Sequence, residues 1–202
     1  MGRLFAQSLM DKLKETRRVS DQFKVSLIKF GSTTDKLVMN TPFAMSADLD
    51  AAKTAINNLA IMTAPYRYYR QDTATDFYTI FPFLSTMAPG TMDGQSALTP
   101  LRTLVFITDG LTDRREGSRT CSSTTRYFYS DSFNPLGTWR CFEAFNPTMC
   151  DQLKTMGLKI AVVYTPYIPL SNDPYYFTFV QPNLSNIPVY LKACASPGLY
   201  SE

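Results

Sequence analysis

Leu101-Arg-Thr-Leu-Val-Phe-Ile-Thr-Asp-Gly110 decides the fold. The run from Leu101 to Thr108 is rich in β-branched and aromatic residues and almost uncharged, the composition of a parallel strand buried on both faces. It stops abruptly at Asp109-Gly110, where glycine lets the backbone turn sharply away. Downstream, Leu158-Lys-Ile-Ala-Val-Val-Tyr164 has the same character. Between the two, Asn146-Pro147 is a helix start, an N-cap acceptor followed by proline at the first helical position. Gly157 stands where a left-handed C-terminal residue is wanted. Strand, helix and strand in this order predict a right-handed crossover unit of a parallel sheet. Ligands of such sheets sit beyond the carboxyl ends of the strands, which is where Asp109 falls.

Toward the N-terminus, Phe5, Leu9 and Leu13 lie four apart with Leu4, Ala6 and Met10 beside them, in a segment, residues 3 to 16, that elsewhere carries Arg3, Asp11, Lys12, Lys14 and Glu15, which predicts an amphipathic helix. Phe23 to Phe30 predicts a strand leaving through Gly31, and Lys36 to Met39 a shorter one. Ser46 or Asp48 caps a helix to about Leu59, with Leu49, Ala52, Ile56 and Leu59 at helical spacing. Phe77, Ile80, Phe81 and Leu84 form another helical stripe, which Pro82 is expected to kink or interrupt. From residue 111 to about 145 the sequence is polar, Ser/Thr-rich and without period, and reads as a long cysteine-containing loop insertion. A Pro/Tyr-rich loop from Thr165 to about Leu184 precedes a short helix through Cys194. Helices alternating with buried strands argue for a doubly wound α/β sheet.

Composition narrows the chemistry. At 202 residues, 45% hydrophobic and 18% charged, the chain suits one compact domain. The net charge of +3 comes with no Lys/Arg run longer than two, so nucleic acid is not an expected partner. Histidine is absent, which removes the usual general base, the Ser/His and Cys/His nucleophile pairs and the commonest transition-metal ligand. A metal site here would use oxygen ligands and select a hard ion such as Mg²⁺ or Ca²⁺. Cys121, Cys141, Cys150 and Cys194 are too widely spaced for a redox CxxC or a zinc ribbon, leaving disulfides or inert core thiols. Their even number, with three around the polar loop, favours an oxidising compartment. Of the three pairings possible, Cys121 with Cys141 and Cys150 with Cys194 is preferred. No apolar run approaches the roughly 18 to 20 residues that span a bilayer.

The candidate metal ligands are Asp109 and Thr73, because Thr73-Ala-Thr75 precedes a helix and brings a hydroxyl toward the same sheet edge. The plain alternatives are a turn-forming aspartate and threonines that cap the helix starting near Asp76. Tyr66, Arg67, Tyr68, Tyr69 and Arg70 form a candidate protein-binding patch, since aromatic residues and arginine are favoured at interface centres. Asp72 and Asp76 read as solvated surface charge rather than as an acid/base pair.

Phe106-Ile-Thr-Asp-Gly110 resembles the third segment of the metal-ion-dependent adhesion site of von Willebrand A domains, and Thr73-Ala-Thr75 resembles the second. Cys150-Asp-Gln-Leu-Lys-Thr-Met-Gly-Leu-Lys-Ile-Ala-Val-Val-Tyr164, the following Pro/Tyr-rich loop and Lys192-Ala-Cys-Ala-Ser-Pro-Gly-Leu-Tyr200 are similar to the TadG-like proteins of Flp-type (Tad) pilus systems. The resemblance implies a three-layer, mainly parallel α/β fold without catalytic activity. It also implies exposure to the periplasm, anchoring to the inner membrane through a segment absent from this chain, and a protein partner in pilus assembly or anchoring. The chain departs from the family in lacking Asp-x-Ser-x-Ser at the end of the first central strand, and with it several metal ligands, and in lacking a final covering helix. Two other readings stand beside this one: a metal-dependent hydrolase of phosphate compounds using Asp109, and a metal-free structural spacer of the envelope.

Overall fold

A computed structural model describes residues 2–32, 37–60, 75–86, 94–96, 98–115, 126–131 and 134–202. The protein is mixed α/β and contains a three-stranded parallel sheet. Where the sequence suggests one domain, the chain forms two compact units, residues 1–73 and 74–202.

The first unit contains helix α1 (Gly2–Thr16), strands β1 (Val25–Ser32) and β2 (Leu37–Ser46), and helix α2 (Leu49–Asn57). Met10, Leu49, Ala52 and Ile56 form its buried core, with Ala6, Leu9, Leu13, Val25, Leu27 and Phe43 packed against them. Helix α1 thus faces this core with Ala6, Leu9, Met10 and Leu13, of which Met10 is buried and the others half-buried, and Phe5 is 37% exposed. A strict four-residue spacing drifts about 40° around a helix at each step, so Phe5 rotates off a face that alternating three and four keeps aligned. Asp48 caps α2 through an Ala51 N–H bond of 2.9 Å, and the Ser46 hydroxyl in turn accepts the Asp48 N–H at 3.1 Å. Strand β2 pairs antiparallel with β1 and runs well past Met39. Pro42 lies in the stretch where Lys29 faces Asn40 and Leu27 faces Phe43, a bulge that leaves room for a residue with no N–H to give the ladder.

In the second unit, β3 (Thr103–Thr108) pairs in parallel with β7 (Lys159–Tyr164), from Thr103 opposite Lys159 to Thr108 opposite Tyr164. Strand β7 pairs in parallel with the short β8 (Tyr200–Ser201). The predicted crossover is present. Its helix, α4 (Thr148–Thr155), is capped by the Asn146 side chain, which accepts from the Thr148 N–H at 3.1 Å. It ends at Gly157, φ +85°, with Gly157 N–H bonded to Lys154 O and Leu158 N–H to Leu153 O, the paired bonds of a Schellman ending. The two faces of β3 are unequally buried, although Val163 opposite Ile107 is itself buried. Phe106 and Thr108 are buried beside Ile160, Val162 and Tyr164, whereas Val105, Ile107 and Ala161 are half-buried.

Helix α3 (Phe77–Thr86) starts at Asp76, whose carboxylate accepts the Tyr78 N–H and the Thr79 hydroxyl. Pro82 does not interrupt it, and the Ser85 and Thr86 hydroxyls bond the carbonyls of Pro82 and Phe83 in its last turn. Phe77 and Phe81 of α3 meet Phe106 of β3 and Phe145 in a buried cluster, with ring centroids 5.2 to 5.6 Å apart.

The segment expected to be a loop insertion is largely a second sheet. Strands β4 (Leu111–Arg115) and β5 (Arg126–Asp131) both pair antiparallel with β6 (Asn134–Ala144), which lies between them. The Arg140 guanidinium grips Asp113 with two bonds across β4 and β6, and the nearly buried Arg114 lies 3.6 Å from Glu143 and over the Tyr78 ring. The Pro/Tyr-rich region is also partly ordered into a π-helical turn, Tyr176–Val180, and a 3-10 turn, Gln181–Asn183, before helix α5 (Ile187–Cys194). The expected Cys150–Cys194 disulfide links α4 to α5, with the Cα atoms 5.3 Å apart. Cys141 is disulfide-bonded as well, and Cys121, its expected partner, lies outside the described residues. Among the described residues no helix is long and apolar enough to cross a membrane.

Candidate functional site

The Thr-Asp-Gly turn that ends β3 is held from every side. Thr108 accepts the Thr165 N–H on its carbonyl at 2.9 Å, the last rung toward the chain leaving β7, and the Gly110 N–H on its hydroxyl, also at 2.9 Å. Gly110 has φ +74°. A Cβ there would lie 2.6 Å from Ile187 Cγ2 and 2.9 Å from Leu191 Cδ1, so α5 approaches a backbone that only glycine leaves bare. Its carbonyl accepts the Phe145 N–H at 2.8 Å, which ties the turn to the end of β6.

Asp109 therefore stands at the carboxyl end of the parallel sheet, as expected, and is partly buried. Its Oδ1 accepts the Leu111 N–H at 3.1 Å, and its Oδ2 accepts the Tyr167 hydroxyl at 2.7 Å. Burial pushes its carboxyl above the ordinary range, and the bonds from Tyr167 and Leu111 pull part of the way back. The Tyr167 hydroxyl is held protonated far above its usual range, first by burial and then by the neighbouring carboxylate, so it is the donor of this bond.

Thr73 and the patch Tyr66, Arg67, Tyr68, Tyr69 and Arg70 lie outside the described residues. Thr75 bridges to Asp113, accepting its N–H on the backbone carbonyl at 2.9 Å, and Asp76 rather than Thr75 caps the helix. Among the described residues no three of His, Cys, Asp and Glu gather in a group that could hold an ion. The turn offers one carboxylate, both of whose oxygens already accept hydrogen bonds, and a hard cation asks for six or more oxygens. The donor set described here does not fit Mg²⁺ or Ca²⁺.

Two residues that the sequence did not single out organise the surroundings. Tyr167 is the partner of Asp109. Asn183, 8% exposed, accepts the Ala144 N–H at 3.0 Å and donates to the carbonyls of Phe142 and Phe179, joining β6 to the π-helical turn. A lone asparagine after Gln-Pro reads as turn chemistry, and nothing local marks it as a strand-end tie. No family model, no curated protein and no solved structure matches this chain.

Proposed function

We propose that the chain is a non-catalytic protein-binding module of von Willebrand A-like, TadG-like type, which works on the periplasmic side of the bacterial envelope in assembling or anchoring Flp/Tad pili. The observation that carries this reading is the Thr-Asp-Gly turn closing a parallel strand beside its crossover partner, the position at which α/β sheets present ligand-binding groups. The Cys150–Cys194 bridge supports an oxidising location. The absence of histidine, and with it of the common base and nucleophile pairs, supports a binding rather than a hydrolytic role. A doubly wound, three-layer arrangement belongs to the same reading, as does a divalent ion if donors beyond those of the Asp109 turn complete its shell.

The test is genetic and chemical. In the bacterium that carries the gene, deletion is expected to remove surface pili, and the wild-type gene to restore them. Thiol labelling of intact cells is expected to find Cys150 and Cys194 oxidised. Normal piliation in the deletion strain would refute the role in pilus assembly, and freely reacting thiols would refute the compartment.

A further inference from the structure

The Thr165 amide makes the last ladder bond of the parallel sheet, and the chain then passes Pro166 and reaches Tyr167. Beyond Tyr167 it projects as Ile168-Pro169-Leu170, uncharged and with Ile168 80% exposed. Such a tip has no burial of its own to fix it, so its position depends on what holds the chain just before it. Two prolines limit its backbone, and the hydroxyl of Tyr167 reaches the carboxylate at the end of β3. On the other oxygen of that carboxylate, Leu111 N–H fixes the aspartate relative to β4.

We infer that Asp109 is a positioning residue rather than an ion ligand: with Tyr167 it forms a clamp that fastens the 165–173 loop to the end of β3. This goes beyond the protein-binding reading, does not depend on its protein partner, and replaces an ion at Asp109 by a role in the fold. A hydrogen bond to a charged group in partial shelter from water is among the stronger single ties available to a loop. The clamp uses both oxygens of the carboxylate, one for each neighbour.

Native-state proteolysis of the whole purified chain tests the clamp, because chymotrypsin cuts the Tyr167–Ile168 bond only when the loop leaves its seat, and phenylalanine at 167 keeps the bond cleavable. Tyr167→Phe and Asp109→Ala are each expected to speed that cut about tenfold, the scale of one lost hydrogen bond to a charged group. The double variant should go little further, since both changes remove the same contact. Asp109→Asn, whose amide still accepts from Leu111 and can donate to the Tyr167 oxygen, keeps a weaker, neutral bond and should cut at a rate between those of the wild type and the alanine variant. Denaturant unfolding of each variant separates loop release from general loosening. Unchanged cleavage in Tyr167→Phe would overturn the clamp, as would an asparagine variant as open as the alanine one. So would millimolar Mn²⁺ that protects the wild type and not Asp109→Ala, because that carboxylate would then be a ligand.

Discussion

Gly110 is where the smallest change has the clearest expected consequence. Alanine there must adopt φ near +74° and push a methyl group into Ile187 and Leu191. Strain and overpacking together should cost about 2 to 4 kcal/mol in denaturant unfolding. Asp109 should reveal itself through pH. Its carboxyl is raised in the folded state, so the folded protein holds a proton that the unfolded chain has released in the window just above the ordinary carboxylate range. Stability contributed by this group is expected to fall as pH rises through that window and then level off, and Asp109→Asn should remove that slope from a series of denaturation curves. Asn183→Leu leaves a buried N–H and two carbonyls without their partner, and about 3 kcal/mol should be lost. The location of Asp109 was legible because a buried strand followed by Asp-Gly is local information. Its partner was not, because Tyr167 lies 58 residues further on and hydroxyl-to-carboxylate pairing leaves no periodic trace.

Elements were readable in proportion to how far their sequences obey one period. The crossover β3, α4 and β7 has continuous apolar strands and a helix with caps at both ends, and it stands almost as expected. Strands β5 and β6 stayed hidden because both faces of their ribbon carry aromatic side chains. Phe128 stacks edge-on against Trp139 on one face, while Tyr127 meets Phe179 on the other, so no alternation of apolar and polar survives. The helix stripe of α3 was clear, and its meaning lies in the phenylalanine cluster it completes. Phe106→Ala should open a cavity shared by Phe77, Phe81 and Phe145 and cost about 3 to 5 kcal/mol, measured by thermal or denaturant unfolding. For the Cys150–Cys194 link, 44 residues apart, loop-closure entropy sets the scale at about 4 kcal/mol.

At the scale of the molecule, all four cysteines belong to the second unit, residues 74–202, and none to the first. A reductant is therefore expected to speed hydrogen exchange in peptides from α4, β7 and α5 while leaving those from α1 and α2 as they were; equal acceleration of both sets would show that the two units unfold as one. The division into units was not legible, because overall apolar content fixes how much surface a chain can bury and not how many cores share it. The spacing of the α4 to α5 bridge also bears on biogenesis. A chain made at roughly 5 to 20 residues per second releases Cys150 a few seconds before Cys194 exists to meet it. Where oxidation begins within that interval, the earlier thiol meets other cysteines before its partner exists, and the Cys150–Cys194 bridge is then reached only by thiol–disulfide exchange.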